Sequence, residues 1–364
     1  MLEFNMAMQQ RHQLIYSDLL RRLQAGEWKI GDKFPTVNEL MGDYEYSHRT
    51  IFKGVQQMAN EGYLKVNRGR NGTFVAKTSP VQNIGLLMNE YYLDPLKTPY
   101  PYVIRKKISL ALEKEGYSVL HFFEREGDEF AGRANIENFS NALKNRSLRG
   151  IIMFNCSFPQ YMNECPVWRE FGVPYVKIGK SGNSEFNVDF DIKSSLETAF
   201  KYFANHGREK VAMIYSADIL PLAEQILLSF PALQKRPEWI LPFSILPDPE
   251  EKGFQMMIRL WQQKNRPNAV FVSDDIAAKG VSQAVLHLGI KVPDELLIIH
   301  HANSDTNVFY PVSMPKIEYN LDEIVEKALG LLKTYTANSN SKTEGVTEMV
   351  APKLVEASQQ RKSN

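Results

Sequence analysis

The sequence has little of what marks a secreted or membrane-spanning protein. Its 364 residues include only two cysteines, Cys156 and Cys165, which are too few for a disulfide framework and lack the spacing of a metal site. No run approaches the ~20 apolar residues that span a bilayer. The first residues have neither a continuous apolar core nor a small-residue cleavage site, so we expect no signal peptide. These absences favour reduced thiols and a cytoplasmic protein.

A strong net charge is also missing. The formal charge of +1 argues against a polycationic, histone-like binder of nucleic acid. The charge is uneven, however, because residues 1–80 carry 11 lysines and arginines against 8 acidic residues. Hydrophobic residues make up 43% of the chain and aromatic residues 11%, which is enough for substantial cores. The length suits two or three domains.

The first eighty residues carry the pattern of three short helices. Residues 12–25 place apolar side chains on one helical stripe. Thr36 is placed to cap a second helix over residues 37–41, and Ser47 is placed to cap a third. The apolar residues expected to face the core are Ile15, Leu19, Leu23, Ile51, Val55 and Met58.

A basic hairpin follows these helices. Residues 63–66 and 73–75 alternate as strands do, and the turn between them holds arginines and glycines that let a backbone approach closely. A helix-turn-helix inserts donor-rich side chains at the start of its second helix into the major groove, and such a hairpin suits phosphate or minor-groove contact. We therefore predict a winged helix-turn-helix, mainly α with a β-hairpin, that binds double-stranded DNA. His48, Arg49, Thr50 and Lys53 are expected to face solvent. The predicted DNA contacts are Thr36, Asn38, Ser47, His48, Arg49, Thr50, Lys53, Arg68, Gly69 and Arg70.

Residues 10–77 resemble the winged-helix domain of the GntR family. The resemblance is carried by G-D-x-x-P-T at residues 31–36, E-L at 39–40, S-x-x-T-I at 47–51, E-G-Y at 61–63 and G-x-x-G-T-F-V at 69–75. It implies the fold and DNA binding. Where the family often has arginine, this chain has Asn38, His48 and Phe52. These departures imply an operator preference that differs from the usual one.

Beyond a short polar joint, apolar strands alternate with amphipathic helices. This order specifies the parallel sheets of an α/β fold. The predicted strands cover residues 84–88, 117–123, 150–154, 173–178, 211–215, 269–272 and 296–300. The predicted helices cover residues 102–115, 136–145, 192–206, 250–264 and 275–288.

Polar and aromatic side chains follow these strands, at the sheet edge where ligands of parallel sheets bind. They include hydroxyls, amides, carboxylates and rings, but no ordered catalytic arrangement. Carboxylates and amides can bind sugar hydroxyls, and aromatic faces can stack on a pyranose ring. Asp275 is expected to cap the helix that follows it, because aspartate is favoured at that position. Asp274 is equally consistent with a ligand contact and with a structural role.

Residues 82–358 resemble the LacI-type effector domain, in which two parallel-sheet lobes flank a central cleft. The resemblance is strongest over residues 266–295. It implies that Asp191 and Asp274 contact an effector and that Tyr100 or Tyr102 supplies an aromatic face. Ala302 stands where the family usually has aspartate, and no arginine follows the strand at 211–215, so the ligand need not be an ordinary aldohexose. The predicted effector contacts are Tyr92, Tyr100, Tyr102, Asn155, Asp191, Asp274, His301 and Asn303.

These patterns predict a winged helix-turn-helix domain at residues 1–77, a linker at 78–82, and a two-lobed, periplasmic-binding-protein-like α/β domain with parallel sheets at 83–364. We expect a homodimeric transcriptional regulator, a repressor, whose operator affinity is controlled by a small effector, most simply a monosaccharide or a derivative. No cofactor and no membrane contact are expected. No metal ion is expected either, because His300 and His301 are adjacent on a strand and point to opposite faces.

The alternative is an α/β enzyme that uses Asp274 or Asp275 together with His301 for acid–base chemistry. The sequence has no nucleophile motif, no G-x-G-x-x-G and no metal-ligand cluster, which counts against this alternative.

Overall fold

The structure is a computed structural model. It describes residues 2–67, 72–77, 83–90, 94–95, 99–124, 137–145, 147–156, 166–179, 186–216, 219–243, 248–337 and 345–357. The residues up to 77 form a small domain, called the head domain below. The residues from 83 onward form two α/β lobes. The predicted linker at 78–82 lies outside the described residues.

The head domain has the predicted three helices and hairpin. Strands β1 and β2 pair antiparallel. The residues expected to face the core do so: all are buried except Val55, which packs at the edge of the core. The first helix extends further toward the N-terminus than predicted. The elements are α1 (Leu2–Gln24), α2 (Val37–Leu40), α3 (His48–Asn60), β1 (Leu64–Asn67) and β2 (Gly72–Val75).

Both predicted helix caps are present. The Thr36 hydroxyl accepts a hydrogen bond from the Glu39 backbone N–H, while the Glu39 carboxylate accepts one from the Thr36 backbone N–H at 2.7 Å. This reciprocal capping box satisfies two backbone donors at the start of α2. The Ser47 hydroxyl accepts from the Thr50 backbone N–H at 3.3 Å and fixes the start of α3.

Lobe 1 contains a fully parallel six-stranded sheet of order β13-β7-β6-β5-β3-β4. Helices cover both faces, since one core contains side chains of α4 and α11 and the other contains side chains of α5 and α6. The strands are β3 (Asn83–Asn89), β4 (Ser118–Glu124), β5 (Gly150–Phe154), β6 (Tyr175–Ile178), β7 (Phe186–Phe190) and β13 (Val346–Val350). The helices are α4 (Pro99–Lys114), α5 (Glu137–Lys144), α6 (Pro166–Phe171) and α11 (Leu321–Ala337).

Lobe 2 repeats this layering. Its six-stranded sheet has the order β14-β12-β11-β10-β8-β9, and only the edge strand β14 runs antiparallel. One face packs against α9 and α10 and the other against α7 and α8. The strands are β8 (Val211–Ser216), β9 (Ile240–Phe243), β10 (Ala269–Val272), β11 (Leu297–Asn303), β12 (Lys316–Tyr319) and β14 (Lys353–Val355). The helices are α7 (Ile192–Asn205), α8 (Leu220–Leu227), α9 (Pro249–Trp261) and α10 (Asp275–Leu288).

The chain passes between the lobes three times. The crossings lie between β7 and α7, between β12 and α11, and between β13 and β14. Hydrogen bonds tie them together: the Asp191 backbone N–H donates to the Val350 carbonyl at 3.0 Å, and the Tyr319 hydroxyl donates to the Asp191 carbonyl at 2.9 Å. The three crossings therefore form one hydrogen-bonded hinge.

The predicted α/β order is confirmed, with differences at element ends. Helix α4 begins at Pro99 rather than Tyr102, because proline is tolerated in the first turn of a helix. Strand β6 begins after Pro174, which has no N–H to donate to a strand ladder. The prediction missed eight elements, most of them short, although one is the 17-residue helix α11: β7, β9, β12, β13, β14, α6, α8 and α11.

The contact between α9 and α10 gives the first testable prediction. A Cβ added to Gly280 would lie 1.8 Å from the Glu250 carbonyl oxygen, so Gly280→Ala must push the two helices apart. We expect it to lower the free energy of unfolding by about 3 kcal/mol. Gly330→Ala is the matched control, because nothing lies within 4 Å of the added Cβ and alanine favours the helix by up to about 1 kcal/mol. Urea unfolding of both variants checks this, and equal stabilities would contradict it.

Candidate functional site

The exposed face of α3 is fixed by how the helix packs. Ile51 and Met58 are buried in the head-domain core, and Gly54 lies so close to α1 that an added Cβ would be 2.8 Å from the Ile15 side chain. This contact turns the opposite face of α3 to solvent. His48 and Arg49 are exposed on that face, and Lys53 is half-exposed. The exposure of these three side chains agrees with the prediction.

Thr50 is a correction to the prediction. It was expected to face solvent with His48 and Arg49, but its side chain is only 5% exposed. Its hydroxyl lies 2.9 Å from the Ser47 hydroxyl, so the two form a hydrogen bond. The reason is geometric: on a helix, residue 50 shares the buried stripe with residues 54 and 58. Thr50 therefore supports the start of α3 from inside.

The remaining predicted DNA contacts differ in what they do in the structure. Thr36 and Asn38 are exposed at the start of α2, although the Thr36 hydroxyl already serves the capping box. Ser47 is exposed and also serves as a cap. The predicted contacts in the hairpin turn, Arg68, Gly69 and Arg70, lie outside the described residues.

A second site lies where the strand ends of the two lobes meet. The Phe190 ring at the end of β7 lies 6.0 Å from the Tyr100 ring in lobe 1 and 6.2 Å from the His301 ring in lobe 2, measured between centroids. Burial, together with Asp189 and Asp275, raises the pKa of Tyr100. Asp275 belongs to lobe 2, so its charge acts across the gap on lobe 1. We call this junction between the lobes, where Phe190, Tyr100, His301 and Asp275 lie, the cleft.

The N-cap of α10 is not the aspartate that the sequence predicted. Asp274, not Asp275, is the N-cap, and its carboxylate accepts from the Ala277 backbone N–H at 2.7 Å. Asp274 has the extended backbone that a cap requires, whereas Asp275 already lies within the helix. The expectation that Asp275 caps α10 is therefore wrong.

The Asp275 carboxyl is instead an unusual buried group of the cleft. The residue is 5% exposed, and its Oδ2 atom has no hydrogen-bond partner in the structure. Burial and the adjacent Asp274 raise the pKa of Asp275 to about 7. Because an unpaired buried polar atom destabilises a fold, an acceptor of this kind marks a place where a ligand can donate a hydrogen bond.

His301 and Asn303 lie on β11 beside this carboxyl. Burial lowers the pKa of His301 to about 4, so the ring is neutral near pH 7. His300, the preceding residue, is fully buried on the other face against the Tyr310 ring at 4.4 Å, and burial lowers its pKa to about 3. No group of three or more histidine, cysteine or acidic side chains suited to a metal ion occurs among the described residues.

Asp191 lies at the hinge, directly after the last residue of β7. Its carboxylate caps α7, accepting from the Ser194 backbone N–H at 2.9 Å and from the Ser194 hydroxyl at 2.6 Å. Both oxygens are thus engaged within the chain. Its effector contact remains a prediction.

Three other predicted effector contacts are scattered. Tyr102 is half-buried on α4, with the Arg105 guanidinium 5.6 Å from its ring. Asn155 follows β5 with a φ of 46°, a left-handed conformation that asparagine tolerates, and its carbonyl accepts from the Asn89 backbone N–H. Tyr92 lies outside the described residues.

The prediction missed one aromatic residue of the cleft, Phe190, and one that packs against the lobe 2 core, Tyr310. Phe190 ends a strand that the sequence reading did not recognise. Tyr310 lies in an irregular loop after β11, where no periodicity signals its position, and its pKa is raised by burial and by Asp275 and Asp274. The sequence offered one signal for these two residues, an aromatic side chain directly before Asp191. That signal could have identified Phe190 but not Tyr310.

A side-chain link also joins the lobes. The Lys107 ammonium on α4 lies 2.8 Å from the Asp305 carboxylate, which follows β11 in lobe 2, and 2.7 Å from Asp322 on α11. The chain thus combines a head domain that exposes a polar helix face with two lobes around a buried polar and aromatic cleft. That combination defines a class of protein, the DNA-binding regulator with a ligand-binding domain.

Comparison with known families agrees. Residues 12–75 match the gntR family of bacterial regulatory proteins, and residues 200–357 match the periplasmic binding protein-like domain. The chain therefore carries a gntR-type helix-turn-helix domain followed by a periplasmic-binding-protein-like domain, and it is a DNA-binding transcriptional regulator. Within the described part of the chain, every helix is too short or too polar to span a bilayer.

Two relatives match most of the chain. The arabinose metabolism transcriptional repressor of Halalkalibacterium halodurans is 25% identical over 343 residues, 85% of each protein. The HTH-type transcriptional repressor PurR of Mannheimia succiniciproducens is 24% identical over 289 residues, 77% of this chain and 81% of that protein.

Solved structures show the same fold. A complex of the transcriptional regulator CelR with cellobiose has a TM-score of 0.61 at 16% identity, covering 88% of this chain and 94% of that one. A LacI regulator from Bacillus cereus subsp. cytotoxis has a TM-score of 0.61 at 22% identity, covering 76% of this chain and 97% of that one.

The raised pKa of Asp275 gives the second prediction. Folding favours the protonated carboxyl, so the stability that this group contributes is present at low pH and is lost as the pH rises through about 7. Asp275→Asn should therefore match the parent protein near pH 4, the ordinary pKa of the group, and exceed it at pH 8 by about 4 kcal/mol or roughly 10 °C in Tm.

Thermal unfolding without ligand, measured from pH 4 to 8.5, checks this expectation. Glu326→Gln is the control, since it removes an equal charge from an exposed position on α11 and should leave the pH profile unchanged. An Asp275→Asn protein that is less stable than the parent at pH 8 would show that the carboxylate is satisfied rather than strained.

Proposed function

We propose that the protein is a transcriptional repressor whose operator affinity is controlled by a small effector bound in the cleft between the lobes. One observation carries this proposal. The same chain has a helix, α3, that exposes a polar face and is called the recognition helix below, and a cleft that holds a buried carboxyl oxygen without a hydrogen-bond partner. We propose repression rather than activation because both relatives are named as repressors.

We propose that the effector is a monosaccharide or a derivative. The described part of the cleft offers acceptors in Asp275 and Asn303 and ring faces in Tyr100 and Phe190. A few convergent polar groups within aromatic walls are typical of small-molecule sites, and this set matches the hydroxyls and apolar faces of a sugar. One relative is named for arabinose metabolism, and one solved neighbour contains cellobiose.

The proposed control works through the lobes. An effector that contacts both lobes at once binds their closed arrangement better than their open one. It can shift that balance, and with it the DNA affinity, only by its difference in affinity for the two states. The Lys107–Asp305 ion pair joins the lobes beside the hinge, so it contributes to the balance between the two arrangements.

We also propose a homodimer. One winged helix makes few base contacts, and two-fold operators are matched by two-fold proteins. Lobe 1 supports this proposal, since Leu110 on α4 and Leu120 on the edge strand β4 expose apolar surface near the free edge of the sheet.

Arg49 gives the third prediction. Arg49→Ala should weaken binding to a selected operator duplex by about 1–3 kcal/mol and leave effector affinity unchanged, because Arg49 is exposed on the recognition helix and far from the cleft in the fold. Fluorescence anisotropy measures the first quantity and calorimetry the second. Arg21→Ala is the matched control, since Arg21 pairs with Asp18 on α1. A loss of effector affinity in Arg49→Ala would refute this division of labour.

The effector assignment gives the fourth prediction. In a thermal-shift screen of monosaccharides and sugar phosphates, a ligand at 100 times its Kd should raise the Tm by about 5 °C, because it binds only the native state. The same ligand should release the selected duplex in the anisotropy assay. A metabolite of another class that shifts the melt, while no sugar does, would overturn the sugar assignment. Turnover of the ligand would favour the enzyme alternative.

A further inference from the structure

The recognition helix carries an exposed phenylalanine. Phe52 lies in the middle of α3 with 47% of its surface exposed. Helical spacing puts it on the face opposite the buried stripe, three residues after Arg49 and four after His48. Gln56, four residues further on, is exposed on the same face. A large apolar side chain thus lies at the centre of the polar surface expected to meet DNA.

The packing of α3 does not explain this position. Ile51, Gly54 and Met58 are the residues that α3 buries in the head-domain core. The helix contacts α1 on this same face, opposite Phe52. The other large apolar side chains exposed in the head domain lie outside α3, on α1, in the loop before α2, at the C-cap of α2 and on the hairpin. They are Leu14, Ile30, Met41 and Val66. Within the described part of the head domain, Phe52 is therefore the large apolar side chain exposed on the face of α3 that is expected to meet DNA.

The chemistry of the major groove identifies what Phe52 can contact there. Base edges in that groove present donors and acceptors, and the one apolar group among them is the C5-methyl of thymine. A phenyl ring placed against a polar base edge would bury an unpaired donor or acceptor, which is unfavourable. Contact with phosphate is equally unsuited to a ring without a hydrogen-bond donor.

From this placement we infer that Phe52 is a specificity-determining residue that reads the methyl group of a thymine in the operator. The inference rests on the proposed operator binding and adds to it a preference for thymine over cytosine at one base pair of each half-site. Arg49 and His48 flank the ring and supply hydrogen bonds to neighbouring bases or phosphates. Phe52 supplies the one contact that no hydrogen bond can replace.

The test begins with the full-length protein and a random duplex library, from which the bound sequence is selected. Each thymine of that sequence is then replaced in turn by deoxyuridine, which removes only the methyl group. The parent protein should lose affinity roughly threefold to fivefold at one thymine per half-site, the change expected for one buried methyl group. Phe52→Ala should bind more weakly and show no loss at that thymine.

Two controls separate contact from structure. Leu14→Ala removes a similarly exposed apolar side chain from α1, so it should keep the deoxyuridine effect of the parent protein. Cytosine at the sensitive position should weaken binding, and 5-methylcytosine should restore part of the affinity for the parent protein and none of it for Phe52→Ala. Matching thermal unfolding of the three proteins shows that the head domains are intact.

Each other outcome overturns the inference in a distinct way. If deoxyuridine has no effect at any position, Phe52 reads no methyl group. If Phe52→Ala keeps the parent's sensitivity, another residue reads it. If no duplex is selected, operator binding fails and the proposed function fails with it.

Discussion

The hydrogen-bonded hinge is the constraint on which the rest of the structure depends. Three chain segments cross between the lobes, and they are tied by the bond from the Asp191 N–H to the Val350 carbonyl and by the bond from the Tyr319 hydroxyl to the Asp191 carbonyl. Asp191 also caps α7, so one residue ends a strand of lobe 1 and begins a helix of lobe 2. Because the crossings are fixed to each other, the lobes can change their separation at the cleft while their sheets stay rigid.

The cleft depends on this hinge for its chemistry. Phe190 directly precedes Asp191, and its ring reaches His301 of the other lobe, so the hinge positions aromatic surface between the lobes. The buried Asp275 carboxyl with its unpartnered oxygen lies on the lobe 2 side. A free protein that keeps such a group buried is less stable than it could be, and a donor from a ligand removes that loss. The same feature thus weakens the unliganded state and favours the liganded one.

The sequence predicted elements that are fixed locally and missed those fixed by the crossings. Thr36 and Ser47 were recognised as caps, and β5, β10 and α10 have the predicted bounds, because caps and apolar runs are local signals. The strands β7 and β12 lead into crossings and are as short as β5 and β10, but polar residues interrupt them, so neither forms the continuous apolar run that revealed β5 and β10. The choice between Asp274 and Asp275 as cap depends on backbone angles, and the burial of Thr50 depends on how α3 rotates against α1. Composition determines neither.

The head domain lies close enough to lobe 1 for charges of the two to interact. Burial lowers the pKa of Lys77 to about 8, Glu61 opposes that shift and Arg149 of lobe 1 adds to it, while the Lys77 ammonium lies 4.6 Å from the centre of the Tyr63 ring. Arg149 also acts on Tyr63. The head domain therefore meets the lobe whose strands end at Phe190 and whose helices hold Tyr100 and Lys107. In the proposed control, a shift of lobe 1 against lobe 2 moves the surface beside the head domain, and we propose this as the route by which a ligand between the lobes alters the geometry of α3 on DNA.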